Sequence, residues 1–573
     1  MAEAPRERVP VVSALCLLEG DAFRTRDYVL REIRAACSER RQDLVVTPFL
    51  PFVQFREGAE SEELADLIQV AREHRTYLAV ALVEQRKEGG RSHTALLLDR
   101  QGRIVGRYRQ THAFPDDDGL VLGDDLPVFQ TEVGAIGLSV GSDFYFPEVY
   151  WVERMKGAEI LVWQHAPERL RQHFEWTPLL KARALDNLAH LVAAGYADPR
   201  AYITNSYSGG MPGAPWGRSM ILNRIGCPIA DTGYDDGAAT VGLRLDKRKQ
   251  NVHQPHYRAE NTFFVVSLGE RTAFQPLTEA HRPAPRPAYR KRTARIAVGY
   301  LPREHMWHDG AVPERMLALI DEAAALQPDL LLLSEMGAHI TDETTRRVAG
   351  LVSERARRMN AYIVIGGVGD ERFDSIARVW DRDGREVFQA PLFWTRGFPE
   401  LQVFDTDFAR IGIHSCGDLY TGEIDRVLTV KGAELILDPS RMWGADGENN
   451  ELLLRARAAE NGCWVACAHW NSSDTGLRSV IVDPYGGVVA ASRFQQIGLI
   501  ATEVDFDDAK VYYAGRKADQ PKPGGSGMAS YFTGDLPEQK RGWREMVLSR
   551  RRPELYGILP AVNEVILKYR SAK

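Results

Sequence analysis

At 573 residues the chain exceeds the roughly 250–300 residues at which a single hydrophobic core stops growing, so two domains are expected. A net charge of −6, with no clustered basic surface in the sequence, excludes a nucleic-acid footprint. No apolar run approaches the roughly 20 residues needed to cross a bilayer.

The N-terminus, Met1-Ala-Glu-Ala-Pro-Arg-Glu-Arg8, is charged and leads into no secretory core. Six scattered cysteines (16, 37, 227, 416, 463, 467) are too few for a disulfide framework, and a cytoplasmic setting follows as the expectation. Cys463-Trp-Val-Ala-Cys467 reads as two strand residues on one face, not a redox or metal pair.

Taken in order, residues 9–268 and 296–507 carry one succession of elements twice. A helix over 27–40 leads to Asp43-Leu-Val-Val-Thr-Pro-Phe49, and a helix over 313–325 leads to Asp329-Leu-Leu-Leu-Leu-Ser-Glu335. Unbroken apolar runs of this kind are expected of central strands buried on both faces. Helices over 61–74 and 342–359 feed apolar strands at 77–83 and 362–368, and hairpin turns follow at Asp99-Arg-Gln-Gly102 and Asp381-Arg-Asp-Gly384.

Beyond the hairpins the copies align at a constant offset of 275: Ile136-Gly-Leu-Ser-Val-Gly-Ser-Asp143 matches Ile411-Gly-Ile-His-Ser-Cys-Gly-Asp418, and Lys156-Gly-Ala-Glu159 matches Lys431-Gly-Ala-Glu434. Arg183-Ala-Leu-Asp-Asn187 then matches Arg457-Ala-Ala-Glu-Asn461 with one residue of slippage. The expected domains are 1–270 and 296–515, joined by a Pro/Arg-rich linker over 271–295 and followed by an extension over 516–573 with a terminal helix.

Together these landmarks resemble the nitrilase, or carbon–nitrogen hydrolase, superfamily in two tandem copies. The resemblance implies α/β architecture: tandem four-layer αββα sandwiches packed as an internal pseudo-dimer. It implies cleavage of amides, nitriles or ureido groups through a glutamate, a lysine and a cysteine. Carried onto this chain, the glutamate position of the second copy is Glu335, preceded by Ser334 where the family prefers proline, and the cysteine position is Cys416. The lysine position falls near Gln389 to Leu392, and no lysine occurs between Lys291 and Lys431. In the first copy all three positions are lost, to Phe49, Gln110 and Gly141.

The expected site is therefore Cys416 as nucleophile and Glu335 as base, with Arg396 the candidate substitute cation and the backbone N–H groups of Gly417 and Asp418 as oxyanion donors. Pocket candidates are His414, Gly417, Trp443, Trp470 and Asn471. Asp143 and Asp418, kept in both copies, read as turn-stabilising; Arg457, Glu460 and Asn461 read as structural. No cofactor and no metal ligand set is expected, and the expected partner is a small amide or nitrile, with no nucleic acid or membrane and with homo-oligomerisation left open. Two alternatives stay open beside a hydrolase: a pseudoenzyme in which both sites are dead, and an acyl transferase using the same cysteine intermediate.

Overall fold

The computed structural model describes residues 9–18, 23–114, 119–166, 176–197, 218–233, 235–245, 271–305, 311–336, 342–367, 376–391, 400–441, 447–473, 476–494, 496–507, 511–513 and 540–561. The strand order repeats between the halves. In the first, Val11–Leu18, Leu44–Arg56 and Tyr77–Gln85 run parallel, and Arg91–Leu98 and Ile104–Arg109 continue the sheet as antiparallel edge strands. In the second, Thr293–Pro302, Leu330–Glu335 and Tyr362–Gly366 run parallel, followed by antiparallel Ile376–Trp380 and Glu386–Pro391. The second sheet of this half is built on parallel Arg410–Ile413, Leu435–Pro439 and Trp464–Ala468.

Alternation along these strands explains the layers. Leu330 and Leu332 face the core between the two sheets with Ile411, Ile413, Leu435 and Leu437. Leu331 and Leu333 face outward onto the helices Val312–Ala323 and Asp342–Met359, against Met316, Ile320, Val348 and Val352. A strand buried on both faces must be apolar at every position, which is why these strands read as continuous runs and not as alternating ones. Each half is thus an αββα sandwich.

The other helical layers meet. Trp176–Asn187 of the first half packs on Gly447–Asn461 of the second, and the repeated signature makes reciprocal ion pairs across the seam. Arg183 Nη1 lies 2.6 Å from Glu460 Oε2, and Arg457 Nη2 lies 2.7 Å from Asp186 Oδ1. Each arginine also donates from Nε to the matching carbonyl of its own half, Phe144 O at 3.0 Å and Leu419 O at 3.2 Å. Residue i meeting j while j meets i is the mark of a two-fold interface, here closed within one chain.

The chain termini of the two copies cross the same seam. Arg271 donates to Glu423 at 2.7 Å, and Arg551 donates to Glu148 at 2.6 Å. Linker residues are docked on the second half: Arg286 and Arg292 both pair with Glu434. Among the described residues of the extension the helix is limited to Trp543–Ser549; beyond it Pro553 opens a single 3-10 turn, and the segment lies against the first half. Tyr556 stacks on His112 and bonds its Nε2 at 2.6 Å. No helix among the described residues is long and apolar enough to cross a membrane.

Candidate active site

Three strand ends converge in the second half. Leu330–Glu335 comes from one sheet, and Arg410–Ile413 and Leu435–Pro439 come from the other, each ending at its carboxyl end, the usual place for a site in parallel sheets. Pairing of Leu330–Glu335 with its neighbour shifts between Leu333 and Glu335. Such an irregularity re-aims the side chain that follows it. The equivalent strand of the first half shifts between Val46 and Phe49, so the distortion persists where the carboxylate is gone.

Cys416 opens a 3-10 turn, Cys416–Tyr420, directly after its strand. It sits at φ 52°, and its twin Gly141 sits at φ 54°. Left-handed backbone suits glycine and costs another residue about 1–3 kcal/mol, so the second copy carries strain to place a thiol here. The Cys416 N–H donates to Asp438 Oδ1 at 3.2 Å, and the side chain of Asp418 accepts from Ser415 N at 3.2 Å, closing the turn. In the first half Asp143 does the same for Val140 N and also receives Thr111 N and His112 N.

Glu335 is 2% exposed, and its Oε2 lies 3.3 Å from Arg441 Nε. The Trp470 indole N–H donates to the Glu335 carbonyl at 2.8 Å, fixing the strand end from beneath. Burial pushes the Cys416 thiol well above its ordinary pKa; the Glu335 charge adds to this, and Arg441 opposes it. Burial and the carboxylate both favour a protonated thiol, and a thiol in that form would need a base to act during any attack in place of a preformed thiolate.

Cys416 thus lies within reach of the Glu335 charge, with Gly417 next in its turn, while Trp470 bonds only the Glu335 carbonyl and packs its ring in the helix-facing core. Asn471 is buried behind it, bonding Ser492, Arg493 and Ser479. His414 lies past the last strand residue, so strand alternation does not set its direction. It is buried on Asp425, with Nδ1 2.5 Å from Oδ1, and its Nε2 is 3.6 Å from Asp438. Arg396 and Trp443 lie outside the described residues. Gln389, at the family's lysine position, is exposed.

Two site residues escaped the reading of the sequence, Arg441 and Asp438. The signal was present in the repeat: at the offset of 275 they replace Ala166 and Trp163, two differences beside the thiol's own. In the first half Trp163 stacks on Phe144 at 3.8 Å and donates to Gly141 O, while Phe49 lies 4.4 Å from His93. Aromatic rings fill that site.

The carbon-nitrogen hydrolase family model matches residues 42–250 and 295–514. Similar curated proteins include hydrolase C26A3.11 of Schizosaccharomyces pombe, 28% identical over 207 residues, covering 34% of this chain and 61% of that protein. Deaminated glutathione amidase of Dictyostelium discoideum is 34% identical over 139 residues, 22% of this chain and 48% of that protein. Omega-amidase NIT2 of Xenopus tropicalis is 26% identical over 231 residues, 38% of this chain and 80% of that protein. The chain therefore spans between about half and two-thirds of the length of the first two. Among solved structures, Saccharomyces cerevisiae Nit3 matches with a TM-score of 0.36 at 18% identity, covering 44% of this chain and 96% of that one. With both halves matched by one family model over most of their length, the chain belongs to the carbon-nitrogen hydrolase family.

Proposed function

We propose that the second half hydrolyses a small amide through a Cys416 thioester, and that the first half is its built-in, inactive partner. The observation that carries this reading is the strained, buried thiol of Cys416 set beside the Glu335–Arg441 pair. Amides are favoured over nitriles because two of the similar proteins are named as amidases.

In the first step the Cys416 sulfur attacks the amide carbon while the thiol proton passes to Glu335. The oxygen gains the negative charge, opposed by Arg441 and by backbone N–H groups of the turn that begins at Cys416. Collapse breaks the C–N bond, and the amine leaves with the proton held by Glu335. Water then attacks the thioester, giving its proton to Glu335, and the thiol is restored as the acid departs. Arg441 takes the charge-stabilising part of the family's lysine; a guanidinium does not shuttle the proton, so that duty rests on Glu335 alone.

The test is incubation with a panel of small primary amides, followed by mass spectrometry of the Cys416 peptide and assay of released ammonia. An acyl adduct on Cys416 that is absent in Glu335→Gln is the expected outcome. Adduct without acid release, relieved by added hydroxylamine, would mark an acyl transferase. Equal slow labelling of all six cysteines would leave a binding protein with two dead sites.

A further inference from the structure

Behind the candidate nucleophile lies a second cluster that hydrolysis does not use. Asp438 and Cys467 are paired across neighbouring parallel strands, and Cys467 Sγ lies 3.2 Å from Asp438 Oδ2. His469 follows two residues later. One ligand atom from each of the three falls within 4.8 Å of the others, and all three residues are buried. His469 is 1% exposed, and neither of its ring nitrogens has a hydrogen-bond partner among the described residues. Its main chain is held at both ends by Ser479 Oγ, which accepts from His469 N and donates to His469 O.

His414 stands beside this set. Its Nε2 faces Asp438 Oδ2 at 3.6 Å, while its Nδ1 is bound by Asp425 at 2.5 Å. A histidine held between two carboxylates fixes the direction of Asp438, as an outer-shell partner does for a ligand.

The fold does not require this cluster. At the same strand positions the first half has Trp163 paired with Ala193, then Gly195, with Ser139 bonded to Tyr150 in place of His414 and Asp425. His165 covers Gly195 so closely that a Cβ there would meet its ring at 1.9 Å.

We propose that Asp438, Cys467 and His469 form a three-ligand site for a divalent zinc-type cation, set directly behind the candidate nucleophile, with His414 facing Asp438 from the outer shell. One carboxylate and one thiolate neutralise a dication, and with the His469 imidazole this mixed S, N and O set is the kind that selects Zn²⁺. Binding forms an Sγ–metal bond and releases the Cys467 thiol proton to solvent, with no change in oxidation state. Asp438 would bind the cation through Oδ2 and keep Oδ1 on the Cys416 N–H, so metal occupancy bears on the turn that displays the thiol.

The test uses the full chain and reads metal, not amide turnover, so its outcome is separate from that of the proposed hydrolysis. Protein from zinc-supplemented cells, dialysed without chelator, should hold about one Zn²⁺ per chain. Loading with Co²⁺ should give the thiolate-to-metal charge-transfer band and the visible bands of a tetrahedral ion. Both should persist in Cys416→Ala, vanish in Cys467→Ser and weaken in His469→Gln, while His414→Gln, which removes the outer-shell partner of Asp438, should lower affinity about 10–100-fold. Should Cys467→Ser fail to fold, the wild-type and Cys416→Ala spectra decide. Zinc content and a cobalt spectrum no different from a metal-free control would overturn the proposal, as would a sulfur band lost in Cys416→Ala and kept in Cys467→Ser. In either event the cluster is a hydrogen-bonded charge network only.

Discussion

At Cys416 the backbone adopts φ 52°, the value its glycine twin adopts at 54°. This gives a clean test of strain. In left-handed backbone the order of Ala and Gly inverts, so Cys416→Gly should be more stable than Cys416→Ala by about 1 kcal/mol in denaturant melts, although glycine is ordinarily the weaker of the two. Both variants should lose acyl-enzyme formation. The raised thiol pKa, from burial and from Glu335, predicts a second result. Alkylation of Cys416 by iodoacetamide should keep rising through pH 9, above the ordinary thiol value of about 8.5; a plateau near pH 7 would instead reveal a standing thiolate. Arg441→Ala should lower kcat/KM by about 10²–10³-fold, the cost of one oxyanion-stabilising group. Unchanged kcat/KM would assign the guanidinium a purely structural pairing with Glu335.

The helix Pro147–Met155 carries an anomaly at the element scale. Glu153 lies against Gly137, where a Cβ would meet its carboxylate at 2.4 Å; at the matching place in the second half Gly412 packs on Leu428. Burial and the nearby Asp143 hold the Glu153 carboxyl well above its usual range. A carboxyl whose pKa is raised on folding subtracts stability as pH climbs above its unfolded value of about 4.3. Glu153→Leu should therefore stabilise the protein at pH 7 by about 1–3 kcal/mol, with the gain shrinking toward pH 5, as thermal melts across that range would read. The helices Trp176–Asn187 and Gly447–Asn461 make the opposite case. Their arginines are buried and ion-paired across the seam, so Glu460→Gln, which strips Arg183 of its charged partner there, should cost about 3–5 kcal/mol.

For the whole molecule the seam and the C-terminal segment act together through Glu148. Burial would push this carboxyl up, but Arg426 and Arg551 outweigh it and hold the pKa down to about 2. A depressed carboxylate contributes stability that is complete above its unfolded pKa and is lost as pH falls from about 4.5 toward 2. Shifted by more than two units, it is worth about 3 kcal/mol at neutral pH. Acid unfolding should thus begin below pH 4.5. Truncation after Ser549, which removes Arg551 and Tyr556, should move that onset upward and loosen the first half; hydrogen exchange at His112 and its neighbours would register it. An acid midpoint unmoved by truncation would show that Arg426 alone holds the carboxylate.

Residue order by itself determined the duplication and the layer order, and marked Cys416 and Glu335 as the candidate nucleophile and base, because these are recorded as local patterns: buried strands as apolar runs, turns as Asp–Gly pairs, the candidate site as a motif at a strand end. Comparing the copies even marked positions 438 and 441 as different, without saying why. Only the tertiary structure decided that Arg441 is the cation at Glu335, since residues 106 apart in the chain (335 to 441) meet where strands of different sheets end. The same holds for the cluster of Asp438, Cys467, His469 and His414, drawn from three strand ends. Contacts between strand ends depend on how two sheets stack, and that distance and angle are set by the whole core, not by any stretch of sequence.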